Sequence, residues 1–155
     1  MDKPITLRGI ALRTKTKAPM QTLTETMVTR VAGVHADARG KPGKRQVTVL
    51  SHKQWQQACA ELCAELPWTT RRANLLVEGI EFDASMVGQQ LKIGALILLI
   101  TGETDPCHKM DKQFQGLMQA LSPTWRGGVC CQVLADGRIK LGDNITLVGS
   151  AVASR

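Results

Sequence analysis

The chain has 155 residues, 43% of them hydrophobic, the size of one ordinary domain with enough apolar side chains to bury a core without metal or disulfide staples. Its five cysteines, Cys59, Cys63, Cys107, Cys130 and Cys131, are odd in number and form no CxxC element, which argues against both a disulfide framework and structural zinc. The formal charge of +7 is uneven: residues 1–53 carry 11 Lys or Arg against 3 Asp or Glu, and the rest carry 9 against 10. Such an excess suits an anionic partner, either nucleic acid, a phosphorylated cofactor or an acidic protein. With no Tyr, two Phe and three Trp, the stacking platforms that single-stranded nucleic acid needs are scarce, and nucleic acid is not the expected ligand. The opening MDKPITLRGIALRTK lacks the apolar run of a signal peptide, and no stretch is long and apolar enough to span a bilayer, so the expectation is a cytoplasmic protein with no membrane contact.

In chain order, ITLRGIALRT (5–14) and TLTETMVTRV (22–31) are rich in β-branched residues and read as strands around the polar turn KTKAP. GVHADARGKPGK (33–44) is a Gly, Pro and Lys loop, followed by a short strand, RQVTVL. GKPGK lacks the spacing of a phosphate-binding P-loop. Ser51 with Gln54 forms a capping box, and Trp55, Ala58, Cys59, Leu62, Cys63 and Leu66 fall at helical spacing before Pro67. Trp55, Cys59 and Cys63 share the apolar face and read as packing residues. NLLVEGI reads as a strand and LKIGALILLITG (91–102) as a strand buried on both faces. Met110, Phe114, Leu117, Met118 and Leu121 predict a second amphipathic helix, and GGVCCQVLADGRIKLGDNITLV a hairpin turned at Asp136-Gly137 plus a terminal strand. Cys130 and Cys131 alternate across that strand and read as packing, and Trp125 as a cover for the barrel end. The expected architecture is therefore mainly β: a closed barrel or sandwich with two flanking helices, as one domain over residues 1–155.

Thr104-Asp105-Pro106-Cys107-His108 lies between the buried strand and the second helix. Asp105 suits an N-cap and Pro106 the first helical position, which predicts Cys107 in the first turn, where backbone N–H groups favour thiolate over thiol. Such a thiolate is a nucleophile or a soft metal ligand, with His108 and Lys109 adding positive charge.

RQVTVLS at 45–51, RRANLLVEGI at 71–80, LKIGALILLITG with DPCHKMD, and RGGVCCQVLADGRIKLGDNITLV resemble successive segments of the MOSC family, the molybdenum cofactor sulfurase C-terminal domain, in its usual order. The resemblance implies a β-barrel of the kind also seen in the pyruvate kinase barrel. It implies molybdopterin as cofactor, with Cys107 as catalytic residue and molybdenum ligand, a role suited to a soft thiolate. It also implies Arg45, Arg71, Arg72 and Asn74 as cofactor contacts, with guanidinium groups on the phosphate and an amide on the pterin edge, and His108 and Lys109 beside them. Family members commonly carry a Gly-Asp before an Arg-Gly pair where this chain has Ala36-Asp37-Ala38-Arg39-Gly40. Ala36 is the departure, His35 reads as a solvated loop residue, and Arg39, Lys41 and Lys44 make the rim positive.

The resemblance implies a molybdenum-dependent oxidoreductase reducing small N-hydroxylated compounds. Without iron–sulfur spacing or a flavin motif, electrons would come from a separate donor protein. The alternative is a sulfur carrier that accepts sulfane sulfur on Cys107 as a persulfide from a sulfur-donor protein. Pyridoxal phosphate is not expected, since the sulfurase family places that chemistry in another domain.

Overall fold

The computed structural model describes residues 4–149; the first three and the last six lie outside it, with the ends of the expected 1–155 domain. Seven strands close a barrel: β1 (Ile5–Leu12), β11 (Asn144–Val148), β7 (Gln90–Ile93), β8 (Leu96–Glu103), β9 (Val129–Ala135), β5 (Val47–Ser51) and β6 (Leu75–Glu78), the last pairing back on β1. β2 (Gln21–Leu23) extends this sheet beyond β1, and β3 (Glu25–Thr29), β4 (Gly33–Val34) and β10 (Gly137–Lys140) form a small second sheet.

Alternation explains the closure. Val47 and Val49 of β5, Leu75 and Val77 of β6, Leu96, Leu98 and Ile100 of β8, and Val129, Cys131 and Val133 of β9 are all buried in one core cluster. In β1 the inward set changes parity, Leu7 and then Ile10 and Leu12, because a bulge shifts the register between Leu7 and Gly9. The lumen is thus filled with side chains.

Every barrel pair is antiparallel except β5–β6, joined by a crossover through α1 (His52–Glu61). Ser51 caps this helix by accepting from the Gln54 amide, as its sequence predicts; the Gln54 side chain does not return to Ser51 but bonds to Phe82 and to the Thr124 carbonyl. The helix stops at Glu61, short of the Leu66 to which its sequence spacing runs, so Pro67 does not end it. Cys63 adopts φ 51°, its N–H bonds the Ala60 carbonyl and the Ala64 N–H bonds that of Cys59, a Schellman closure that leaves Cys63 exposed instead of packed. Trp55 and Cys59 are buried, as expected.

Three other expectations are corrected. The predicted second helix is two short ones, α2 (Lys109–Gln113) and α3 (Leu117–Leu121), because Phe114 is extended and Gly116 takes φ 90°. Three helices therefore flank the barrel among the described residues; the buried apolar residues of all three share one cluster with Leu50, Ala73 and Leu76 on its outer wall. The single strand over 91–102 is a tight hairpin, with Ile93 opposite Leu96 and Gly94 at φ 60°. β8 alternates buried and half-buried residues, so it is covered on one face. Lastly, β9 and β10 form no hairpin: the chain leaves the barrel at Asp136, and β10 pairs with β3. Trp125 packs partly buried against the barrel core.

Candidate functional site

β5 and β6 run parallel, so the segments entering them, 41–46 and 71–74, approach the same end of the two strands. β1 is antiparallel to β6 and delivers its C-terminal end, followed by Arg13, to that place. These segments, together with 104–107 and part of α2, line a cavity of about 1160 Å³ on the outer side of the packed barrel. Thr48, which alternates with the inward Val47 and Val49, lies on its wall.

Arg71 is the organising side chain. It ends a single turn of 3-10 helix, Trp68–Arg71, whose Trp68 lies against Gly9. Only 8% exposed, it donates Nε to the Gly127 carbonyl (3.0 Å), Nη2 to that of Thr104 (2.8 Å) and Nη1 to Met110 Sδ (3.4 Å). These bonds hold the 104–107 segment, the turn before β9 and α2 together, and leave two of the five guanidinium donors uncommitted. Burial pulls the guanidinium down from its ordinary value, an effect that Cys107 and Cys130 offset, Arg45 increases and Asp105 opposes. A Cβ on Gly127 would stand 2.5 Å from the Thr104 carbonyl oxygen, so glycine is required at this approach.

Cys107 is exposed and lines the cavity. It does not occupy the first helical turn: α2 starts at Lys109 with His108 at its cap position, and Asp105 caps nothing. Cys107 is attached to the helix through its carbonyl, which accepts from Met110 N. α2 has five residues, so the argument from a helix dipole loses most of its force. Cys130 is buried with Sγ 3.2 Å from Thr104 Oγ1, and Cys131 is buried in the barrel core, where burial pushes its thiol far up.

Arg45 and Lys109 are exposed and line the cavity, whereas His108 is exposed but not part of its lining. Arg72, at φ 65°, spends Nη2 on the Thr16 and Ala18 carbonyls, fixing the loop after β1. Asn74 braces β1 against β5: its amide donates to the Ala11 carbonyl and its Oδ1 accepts from Thr48 N. One Asn74 N–H remains free for a ligand.

Arg13, which belongs to no motif in the sequence, also lines the cavity, and its Nε is buried with no hydrogen-bond partner. Burial, then Arg72 and Arg39, pull its guanidinium below the ordinary value, while Asp37 opposes them. Asp37 also shapes the loop, accepting from the backbone N–H groups of Arg13 and Arg39. Among the described residues, ten Lys or Arg and two Asp line the cavity. Among the described residues no group of three or more His, Cys, Asp or Glu could hold a metal, so a metal at Cys107 would need most of its donors from a bound ligand.

A model of the MOSC domain matches residues 29–146, over three quarters of the chain. The chain belongs to the MOSC domain family. That family is associated with molybdenum-cofactor binding or sulfurase-type function. The fold of this MOSC domain is similar to that of YuaD from Bacillus subtilis, with TM-score 0.82 and 15% identity over 95% of this chain and 97% of that one. YiiM from Geobacillus stearothermophilus aligns with TM-score 0.77 and 15% identity, over 94% of this chain and 75% of that one. YiiM from Escherichia coli aligns with TM-score 0.72 and 16% identity, over 97% and 71%. No curated protein sequence matches the chain. Among the described residues no helix is long and apolar enough to cross a membrane.

Proposed function

We propose that this MOSC domain binds molybdopterin in the lateral cavity, with Cys107 as the protein's ligand to molybdenum, and reduces small N-hydroxylated compounds. The observation that carries this reading is a single exposed thiol at the edge of a strongly cationic cavity in which the buried Arg13 Nε has no partner. That donor set fits a metal delivered with its own dithiolene and a phosphate: one soft sulfur from the chain, guanidinium groups for the anion. Arg13 and Arg72 would hold the phosphate, Asn74 would offer its free N–H to the pterin edge, and Arg45 and Lys109 would flank the metal. Arg71 acts mainly by holding the Thr104 and Gly127 carbonyls, which positions Cys107.

When bound, the cofactor supplies two-electron oxygen-atom acceptance: an N–OH compound, two electrons and two protons give the N–H compound and water. The electrons would come from a separate carrier protein. The test is metal analysis and pterin fluorescence on protein made in a host that synthesises the cofactor, comparing the parent with Cys107→Ser. Near-stoichiometric molybdenum that is lost in the variant is expected; no molybdenum in either protein would sink the reading.

The exposure of Cys107 on a loop also favours the second reading, a sulfur carrier, since a partner could reach its sulfur directly. That reading expects a labile adduct of about 32 Da on Cys107, roughly one sulfur, in place of bound metal.

A further inference from the structure

The cavity holds more positive charge than the proposed cofactor balances. Among the described residues ten Lys or Arg line it against two Asp. A phosphate monoester brings about two negative charges, which leaves an excess of roughly six. Several of these cations, Arg39, Lys41, Lys44, Arg45, Lys109 and Lys112, are exposed at the mouth, and none has a carboxylate within ion-pair distance among the described residues. The ion pairs that do form, Arg8–Glu78, Lys53–Glu81 and Arg126–Glu61, all lie outside the cavity lining.

Two features of the lining narrow the choice of second ligand. Among the described residues it contains no aromatic ring, and its larger apolar side chains are Met20 and Met110 with two prolines, so an aryl substrate would find little surface to bury against. A cationic ligand would meet repulsion at every approach. The cations also fall into two groups: Arg13 has Arg72 and Arg39 beside it with Asp37, whereas Arg71 has the Cys107 and Cys130 thiols and Arg45 beside it with Asp105. One group suffices for a cofactor phosphate, and the other stands beside the reacting centre.

We infer, on the basis of the cofactor reading, that the substrate admitted beside Cys107 is itself an anion, an N-hydroxylated compound carrying a phosphate or carboxylate that Arg45 and Lys109 receive. The positive mouth attracts such a molecule at a distance and orients it on arrival.

The field at the thiol can be read without the cofactor, by alkylating the full chain produced without molybdenum. Iodoacetate and iodoacetamide are compared at Cys107, with the exposed Cys63, which follows Glu61 and precedes Glu65 in sequence, as reference within the same molecule. The iodoacetate preference at Cys107 is expected to exceed that at Cys63, to fade in 0.5 M salt, and to drop roughly three- to tenfold at low salt in the double variant Lys44→Glu, Lys112→Glu. Equal preferences at the two thiols would overturn the inference. On the molybdenum-loaded protein, kcat/KM for the anionic 3-carboxypropanamidoxime should exceed that for the neutral butanamidoxime, with the difference shrinking in the same double variant; equal values would also overturn it. Failure of the cofactor reading registers instead as missing molybdenum, which the alkylation ratios do not depend on.

Discussion

Burial and the nearby Asp105 carboxylate push Glu103, at the end of β8, above the usual carboxylate range, and Arg71 pulls it back. An acid whose folded-state pKa is raised keeps its proton to higher pH in the folded chain than in the unfolded one. Stability therefore falls as pH rises from the unfolded value, about 4.3, through the folded one, and the deficit is complete above that window. Glu103→Gln is expected to raise Tm at pH 7 and to give a gain that shrinks toward zero near pH 4, measured by thermal melts across that range. A gain independent of pH would assign the effect to side-chain shape. Neighbouring residues show what sequence could and could not disclose. Ala36 stands out on sequence as a departure from the family's glycine, and it sits at φ 69°, a left-handed conformation costing an alanine on the order of 1–2 kcal/mol; the two bonds accepted by Asp37 brace the loop around it. Arg13 gave no such signal. At the end of a strand a charged residue looks solvated, and only the fold puts Arg39, Arg72 and a cavity around it.

The 104–107 segment and the turn before β9 behave as one element because Arg71 bonds to a carbonyl of each. Gly127→Ala places a methyl group 2.5 Å from the Thr104 oxygen and 3.1 Å from Arg71 Nη2, so the segment carrying Cys107 has to shift. Expected are a loss of about 1–3 kcal/mol in urea unfolding and reduced molybdenum per chain. Gly102→Ala, whose new Cβ meets nothing within 4 Å, is the control and should change neither. Helical and strand periodicity located α1, β5, β6 and the second helical region well. It missed the breaks, because one glycine at positive φ splits a helix at Gly116 and turns a hairpin at Gly94, and both glycines sit inside otherwise continuous apolar patterns. The placement of Cys107 failed for a related reason: Asp-Pro-Cys reads as a helix start, yet Arg71, more than thirty residues earlier in the chain, holds Thr104 out of the helix.

At the scale of the molecule, the barrel is closed unevenly. β1 meets β11 through only two residue pairs, Ile5–Ile145 and Thr6–Asn144, whereas β8 and β9 pair along most of their lengths. The β1–β11 seam is therefore expected to open first, with amide hydrogens there exchanging faster than those of β8 and β9; uniform protection round the barrel would contradict this. The mainly β architecture was legible as a run of short strands with turn signals, which leaves a barrel and a sandwich equally open, and the choice of a barrel came from the family resemblance. The position of the cavity was not: it depends on β5 and β6 being parallel, and the one signal for this, the helix α1 between the two strands, is a single strand–helix–strand unit in a chain without the repeated alternation that marks a parallel sheet.

The placement of the indole rings gives the site an optical reporter of its own. The turn that ends on Arg71 begins with Trp68, and Trp125 stands two residues before Gly127, so two of the three tryptophans flank the anchor points of the site. The third, Trp55, is buried on α1 itself, with its ring nitrogen donating to the Leu66 carbonyl. With no tyrosine in the chain, intrinsic fluorescence comes essentially from these three rings, and quenching or a wavelength shift on adding a ligand reports on the neighbourhood of Arg71 without any attached dye.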